Sequence, residues 1–308
     1  MLFYLFANCF SSLSGVVNKF FIRHGYYDLG IQMLDVTFHA NIYNVILYFM
    51  LYYNFKKNNM INFSIRNTFY SKRELLQILL FAVPIYASAY KLLMFEKMPI
   101  SYVEISAMIK PLIVFFLAIV LLKEKFYNIY LLYLFIAIIG FCVSNYEKIF
   151  LSHVSGVNSD LLKILYYIII ASIGDITRRY YCRKWDNAMQ SICVEVIIFA
   201  VYGCLYLSIV GRFSINILLN PCTLIYALIT FFHHICVILG VQRAKSVAAL
   251  EIISFSKLAF SLLFCYLILG EEQKFYKIIG GIIIFVSIVL FNVHRRYLKY
   301  RENKTLNL

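Results

Sequence analysis

Two segments of the chain place a lysine six residues after a glutamate, inside long apolar runs. Glu104 precedes Lys110 in the first segment, and Glu251 precedes Lys257 in the second, with an isoleucine directly after each glutamate. Ionisable side chains in such runs cost roughly 2.5–3.5 kcal/mol each on membrane-insertion scales, and they usually mark the path of a substrate or an ion. A lysine ammonium can bind an anionic group, and a desolvated carboxyl can carry a proton. The matched segments therefore indicate an internal repeat with a charged centre.

The composition places these segments in a membrane protein. Hydrophobic residues make up 62% of the chain and charged residues 14%, with a mean hydropathy of +0.78. Soluble domains are closer to half apolar and a quarter charged. Windows of about 20 apolar residues predict an all-α integral membrane protein with ten transmembrane helices. The predicted spans are residues 2–22, 31–53, 75–95, 100–122, 127–145, 161–181, 188–209, 221–241, 247–269 and 276–294.

The net charge of +14 predicts an orientation rather than a nucleic-acid partner. With the N-terminus inside, lysines and arginines outnumber those on the opposite side roughly three-fold, as the positive-inside rule requires. We therefore expect a multi-pass protein in the lipid bilayer with both termini in the cytoplasm. The abundance of Ile, Asn, Lys, Tyr and Phe indicates an AT-rich genome, and the bacterial inner membrane is the expected location.

Ten spans divide into two halves of five, and an odd number per half inverts the second half relative to the first. An alignment of the two halves supports this division, because Asp35 in the second span matches Glu195 in the seventh. The predicted domains are residues 1–147, a first five-helix repeat, and residues 148–308, a second, inverted repeat with a basic tail.

This topology predicts the depth of the charged groups. Lys110 and Lys257 reach the centre of the bilayer, while Glu104 lies towards the outer mouth and Glu251 towards the inner one. Residues six apart on a helix are separated by about 120°, so each glutamate and its own lysine do not share a face. The lysines then need acids on neighbouring helices or a bound anion. Either they bind substrate, or they form buried ion pairs that fix the packing of helices.

Further acidic and imidazole groups are candidates for gating or proton coupling. Asp35 and His39 lie one turn apart on the same face, a spacing at which the carboxylate can hold the imidazole. Histidine titrates near physiological pH, so His39 is either a proton-coupling group or a packing residue. Asp35 falls at the depth of Glu104, and Glu195 at the depth of Glu251. We assign these five residues to gating or proton coupling.

Two aromatic or imidazole residues complete the expected substrate site. His233 and His234 lie in the middle of the eighth span, opposite Tyr86 of the third span in the alignment of the halves. Adjacent residues do not share a helix face, so at most one histidine lines a cavity, and we expect His234 together with Tyr86. Asp175 precedes Arg178 by three residues, which favours a local ion pair.

The eight cysteines include no C-x-x-C pair, so neither a disulfide framework nor a metal site is predicted. The H-E-x-x-H and G-x-S-x-G arrangements of hydrolases are also absent from the sequence. We therefore expect no enzymatic activity and no cofactor. An intramembrane enzyme remains the alternative from a different class, and a channel is a third.

The sequence resembles the drug/metabolite transporter superfamily, particularly its EamA-type members. The run Pro111–Val114 followed by Leu121–Glu124 is similar to the family pattern P-L-F…L-L-G-E. In the second half, Leu269–Glu271 repeats the end of this pattern, and Gly280–Gly281 stand where the family has small residues. The resemblance implies ten helices in two inverted halves and no enzymatic activity.

Nucleotide-sugar transporters of the same superfamily place a lysine near the substrate phosphates in the fourth and ninth spans, and Lys110 and Lys257 occupy those spans here. The resemblance implies a substrate-binding role for both lysines. We expect a secondary transporter that moves a small anionic or zwitterionic metabolite, of amino-acid or adenosyl-amino-acid type, by alternating access. An antiporter of nucleotide sugars or phosphorylated metabolites is the alternative, and coupling to protons or to a counter-substrate stays open.

Overall fold

The structure of the protein, a computed structural model, describes residues 2–28, 30–57, 72–110, 113, 114, 117, 120, 129–144, 146, 159–184, 188–243, 256–272 and 274–306. These residues form helices and short connections, with no β-strand among them. The helices are α1 (Leu2–Arg23), α2 (Met33–Lys57), α3 (Lys72–Lys97), α4 (Ile100–Ser106), α5 (Ile129–Ser144), α6 (Ser159–Lys184), α7 (Ala188–Val210), α8 (Ile215–Leu219), α9 (Pro221–Arg243), α10 (Ser256–Leu269) and α11 (Phe275–Leu306).

Each of the ten apolar segments predicted from the sequence contains one of these helices, so the prediction of an all-helical protein is confirmed. The helix α8 is additional and lies in the connection after α7. Within the described residues, three stretches are long and apolar enough to cross a membrane: Leu2–Arg23, Ser191–Val210 and Pro221–Arg243. Shorter apolar helical stretches occur at Phe135–Ser144, Phe260–Leu269 and Phe275–Ser287. Many large apolar side chains on these helices are exposed, which is typical of a surface that faces lipid.

Two glycines end their helices in a way that matters for the site. Gly211 follows α7 with φ 67°, and Gly270 follows α10 with φ 63°, a left-handed conformation that glycine adopts without steric strain. In both cases the next residue folds back on the helix end: the Arg212 N–H donates to Leu207 O at 2.9 Å, and the Glu271 N–H donates to Cys265 O at 3.1 Å. The bond from Arg212 is the six-to-one hydrogen bond of the Schellman motif, and the bond from Glu271 spans one residue more. Both bonds fix the backbone of the charged residue that follows each glycine.

The helices pack in a small set of pairs. Helix α1 lies against α9 and α10, α3 lies against α6, α2 lies against α7 and α9, and α5 lies against α11. The pair of α5 and α11 comes together at small residues, because a Cβ atom on Gly140 would lie only 2.8 Å from the Gly280 carbonyl oxygen. Close approach of backbones at glycine is typical of helices in membranes. The other helices surround a central cavity.

Candidate functional site: a charged central cavity

A cavity of about 230 Å³ lies among α1, α2, α3, α4, α6, α7, α9 and α10. Its aromatic lining residues are Tyr4, Phe38, Phe95, Tyr167, Phe199 and Tyr226. Its charged lining residues are Lys91, Glu104, Lys110, Asp175, Arg178 and Lys257. Since most of the helices that surround the cavity contribute a polar or charged group, the site depends on the tertiary packing as a whole.

One carboxylate stands between two lysines in this cavity. Glu104 of α4 is buried, and its Oε1 accepts a short hydrogen bond from Lys91 Nζ of α3. The same oxygen lies 3.5 Å from Lys257 Nζ of α10. The Lys91 ammonium also lies 4.9 Å from the centre of the Phe95 ring, close enough for a cation–π contact. Lys257 is therefore held less closely by this carboxylate than Lys91.

A second charged cluster continues along α6. Lys110 Nζ donates to Asp175 Oδ2 at 2.6 Å, and Asp175 Oδ1 lies 4.0 Å from Arg178 Nη1. Arg178 Nη2 in turn donates to Glu195 Oε1 of α7 at 2.8 Å, and this oxygen also lies 3.1 Å from His234 Nδ1 of α9. The predicted local pair of Asp175 with Arg178 is present, but each of the two side chains contacts a residue of another helix more closely.

The two clusters carry an excess of positive charge. Among the described residues, four cations (Lys91, Lys110, Arg178 and Lys257) face three carboxylates (Glu104, Asp175 and Glu195). Buried charges are stable only when they are compensated. An anionic group bound in the cavity would supply the missing negative charge.

Glu104 and Lys110 both line the cavity, although helical spacing predicts different faces for them. The reason is a 3₁₀ turn at Ala107–Ile109, directly between the two residues. A 3₁₀ helix turns about 120° per residue instead of about 100°. Three such residues reduce the angle between the two side chains from about 120° to about 60°. The turn thus brings Lys110 round to the side of Glu104.

The structure places Lys110, Lys257 and His234 at the cavity, where the sequence predicted substrate contacts. The acids that contact the lysines, Asp175 and Glu104, belong to neighbouring helices, as the spacing required. The prediction that only one of the two adjacent histidines reaches a cavity is wrong. His233 also lines it, with its Nδ1 at 2.9 Å from the Ala7 carbonyl of α1, because the cavity extends around α9 from the side of α7 to the side of α1.

Tyr86 lies outside the cavity, contrary to the sequence-based expectation. Its side chain is 39% exposed, and its hydroxyl lies 3.3 Å from the Tyr166 hydroxyl of α6. The following residues of α3, Ala87 and Ser88, line the cavity instead. Successive side chains on a helix differ by about 100° in direction. The alignment of the two halves therefore identified the helix that lines the cavity, but it selected a residue on the wrong face of that helix.

Asp35 and His39 are buried at the end of α2 and do not belong to the residues that line the cavity. The Asp35 carboxylate does not hold the imidazole: its Oδ2 accepts from Arg212 Nη1 at 3.0 Å and from the Gln32 N–H at 2.9 Å. The imidazole lies instead 2.7 Å from the Asp35 carbonyl through Nδ1, and its Nε2 accepts from the Ser214 N–H at 3.0 Å. Both ring nitrogens are thus used by backbone groups, which favours the packing role of His39.

Glu195 contacts two residues that line the cavity but is not itself part of the lining. Glu251 lies outside the described residues. Of the four described residues that were assigned to gating or proton coupling, Glu104 alone lines the cavity.

Two lysines of this network were missed by the sequence analysis. Lys91 pairs with Glu104, and Lys19 donates to the Met98 carbonyl at 2.9 Å and to Glu271 Oε1 at 3.4 Å. Both lysines are buried, and both lie inside predicted spans, at 75–95 and 2–22. A search for every ionisable residue inside an apolar span, rather than for matched pairs alone, finds them.

In the part of the chain that the structure describes, no three His, Cys, Asp or Glu side chains are grouped so that they could hold a metal ion.

The similarity of this protein to known proteins is a similarity of fold. No family model matches the chain, and no curated protein matches it. A solved crystal structure is similar to this one with a TM-score of 0.62, over 96% of this chain and 97% of that chain, at 11% sequence identity. The likeness shows that the helical architecture occurs among experimentally determined structures over nearly the full length of both chains.

Proposed function

We propose that this protein is a secondary transporter of the EamA type, in the drug/metabolite transporter superfamily, and that it moves a small anionic or zwitterionic metabolite across the membrane. The observation that carries the proposal is the shared carboxylate of Glu104, which faces the ammonium groups of both Lys91 and Lys257 in the central cavity. Among the described residues, this pairing has two ammonium groups for one carboxylate, and intramembrane charges of this kind mark substrate pathways.

Ten transmembrane helices in two inverted halves are the architecture of the proposal. The spans would be α1 to α5 in the first half and α6, α7, α9, α10 and α11 in the second. The helix contacts support this division. In this division α1 corresponds to α6, α2 to α7, α3 to α9 and α5 to α11. A symmetric arrangement therefore requires the pair α1–α9 to be matched by the pair α6–α3, while the pairs α2–α7 and α5–α11 are each their own match. All four pairs are in contact. Alternating access would then be a movement of one half against the other around the cavity.

Lys257 is the residue best suited to bind the anionic group of the substrate. Its ammonium lies 3.5 Å from Glu104, while Lys91 holds the same oxygen in a short hydrogen bond. Lys110, by contrast, lies 2.6 Å from Asp175. An incoming carboxylate or phosphate can therefore approach Lys257 with less loss of existing contacts than at Lys110, which would act as a second, supporting cation.

The cavity volume favours a small cargo. At about 230 Å³, the space lies below the range of roughly 300–1,000 Å³ that is typical of sites for drug-sized ligands. A metabolite of amino-acid size suits this volume better than an adenosyl-amino acid, and better than the nucleotide sugar of the alternative hypothesis. The aromatic side chains of the wall can cover the apolar part of such a molecule or attract an ammonium group.

Two ion pairs join the proposed halves on the side opposite to the cytoplasmic termini. Asp35 pairs with Arg212, and Lys19 pairs with Glu271. Each pair includes one residue from the first half and one from the second. Movement of the halves that opens this side must break both pairs, so we assign them to an outer gate. In this proposal Asp35 keeps its predicted gating role, through Arg212.

The test is transport by purified protein in liposomes. Counterflow uptake would be measured for radiolabelled amino acids and for small mono- and dicarboxylates, in wild type and in Lys257→Ala. Loss of a hydrogen bond to a charged group, worth about 1.5–3 kcal/mol, predicts uptake that is about 10- to 100-fold weaker in apparent affinity. Lys163→Ala is the matched control, because Lys163 is part-exposed and its pair with Asp160 lies within α6.

Normal affinity in Lys257→Ala, in protein shown to be folded by gel filtration, would contradict the proposed binding site. Current that follows voltage without saturation would favour a channel over a carrier. Chemical conversion of a substrate without its movement across the bilayer would favour the intramembrane enzyme.

A further inference from the structure

A chain of hydrogen bonds between α2 and α9 fixes the direction of one amide in the cavity wall. The Thr230 hydroxyl lies 3.1 Å from the Tyr226 carbonyl and 3.0 Å from the Ala227 carbonyl, so its proton is directed to its own helix. Its oxygen is then left to accept, and it lies 3.1 Å from Asn44 Nδ2. The amide of Asn44 is thereby oriented, because only its nitrogen can donate to that oxygen.

The orientation of the Asn44 amide also determines the orientation of the Asn41 amide. Asn44 Nδ2 also donates to Asn41 Oδ1 at 3.2 Å, so the Asn41 amide must place its oxygen towards Asn44 and its nitrogen elsewhere. Asn41 lines the cavity and is 2% exposed. Its Nδ2 has no hydrogen-bond acceptor among the residues that the structure describes. A buried donor without an acceptor is destabilising, and folded proteins retain few of them.

Two other polar side chains of the cavity, Ser88 and Thr37, differ from Asn41 in this respect. The Ser88 hydroxyl donates to the Pro84 carbonyl at 2.9 Å, and the Thr37 hydroxyl donates to the Met33 carbonyl at 2.8 Å. Each of these hydroxyl protons is donated to a backbone carbonyl of the same helix. The Asn41 oxygen instead accepts from Asn44 in the same helix, and its nitrogen is left without an acceptor among the described residues, which is the arrangement expected of a residue kept for a ligand.

We infer that Asn41 is a substrate-binding residue that donates a hydrogen bond to a neutral acceptor, a carbonyl oxygen or a ring nitrogen, at a position of the cargo other than its anionic group. The inference rests on the proposed transport function and narrows its substrate class. The cargo is a small anion that binds Lys257 through its charge and carries a second, uncharged hydrogen-bond acceptor. Asn44 and Thr230 are positioning residues for the amide.

The test uses pairs of probes that share the charged end and the size but differ in the acceptor. Suitable pairs are glutamine with homoleucine, nicotinate with benzoate, and 4-oxopentanoate with 4-methylpentanoate. Their dissociation constants would be measured by thermal shift on the purified full-length protein, since a ligand raises the apparent stability by mass action. We expect the acceptor-bearing member of at least one pair to bind about 3- to 10-fold more tightly, as one neutral hydrogen bond allows.

In Asn41→Leu this preference disappears, and in the control variant Ser88→Ala it persists. The unliganded Asn41→Leu protein melts close to the wild-type temperature, because the change removes an unused buried donor together with the oxygen that accepts from Asn44. Asn41→Asp, which keeps the shape of the side chain, also loses the preference, and it serves as the second variant if Asn41→Leu does not fold.

Two results overturn the inference: no pair is distinguished by the wild type, or the preference survives in both Asn41 variants. If the two members of every pair bind equally and Lys257→Ala abolishes the binding, the inference about Asn41 fails while the proposed transport function stands. If no small anion binds, or if binding is independent of Lys257, the proposed transport function fails with it.

Discussion

The charge balance around Glu104 leads to a quantitative prediction for Glu104→Gln. This change removes the one carboxylate that contacts both Lys91 and Lys257 among the described residues. Removal of one partner from a buried ion pair typically costs about 3–5 kcal/mol, because the remaining charge is left uncompensated. Two ammonium groups share this carboxylate, so we expect a loss in the upper part of that range. At about 2 °C per kcal/mol, the lower end of the range for large domains, the melting temperature falls by about 8–10 °C.

Removal of a lysine has a smaller effect. Lys91→Met leaves Glu104 with Lys257, so only one charged hydrogen bond is lost, at about 1.5–3 kcal/mol. The double variant Glu104→Gln/Lys91→Met leaves one unpaired cation instead of two and should be more stable than Glu104→Gln alone. Asp160→Asn is the control, because its pair with Lys163 is part-exposed and such pairs contribute about 0–1 kcal/mol.

The unfolding of these variants can be followed in detergent with a thiol-reactive dye, because several free cysteines are buried and become reactive on unfolding: Cys193, Cys236 and Cys265. The reasoning is refuted if Glu104→Gln melts at the temperature of Asp160→Asn, or if the double variant is no more stable than Glu104→Gln. Either result would mean that the two ammonium groups are not held in place by this carboxylate.

Two further predictions concern the gate and the packing of the helices. Asp35→Asn and Arg212→Ala should each change the rate of counterflow, and the double variant should change it no more than the larger single effect, with a coupling energy of about 0.5–3 kcal/mol; additive effects would show that the pair does not act as a unit. Gly280→Ala should destabilise the protein by about 1–3 kcal/mol through overpacking against α5, since a Cβ there would meet the Gly140 carbonyl and the backbone of Ser144. Ile282→Ala in the same helix, exposed by 56%, should shift the stability by about 0.5 kcal/mol or less in thermal unfolding.

The helices of this protein could be predicted from the sequence because their signal is local. Runs of about 20 apolar residues bounded by charges or by glycine specify a helix regardless of what it packs against. Each of the ten predicted segments accordingly contains a helix, and α11 continues to Leu306, twelve residues beyond the predicted end. The short helix α8 was missed because five residues carry too little periodicity to be recognised.

The roles of individual charges were harder to predict, because a role depends on the neighbour. Lys110 and Lys257 were placed at the centre of the protein by their positions in apolar runs, and the structure brings both to one cavity. Tyr86 was placed there by an alignment of the two halves, which carries no information on the rotation of a helix about its axis. The predicted partner of the His39 imidazole, the Asp35 carboxylate, was also wrong. Spacing along a helix does not distinguish this carboxylate from the Asp35 carbonyl, which the imidazole contacts.

The sequence by itself determined the class of the protein, its helical segments, and the presence of charges that only a polar interior can accommodate. These properties follow from transfer free energies and helical periodicity, which act over a few residues. Only the tertiary structure decided that Glu104 faces Lys91 and Lys257, that the 3₁₀ turn rotates Lys110 towards the same side, and that the Asn41 amide is presented to the cavity. These contacts join distant parts of the chain, and they depend on angles between helices that no local pattern specifies.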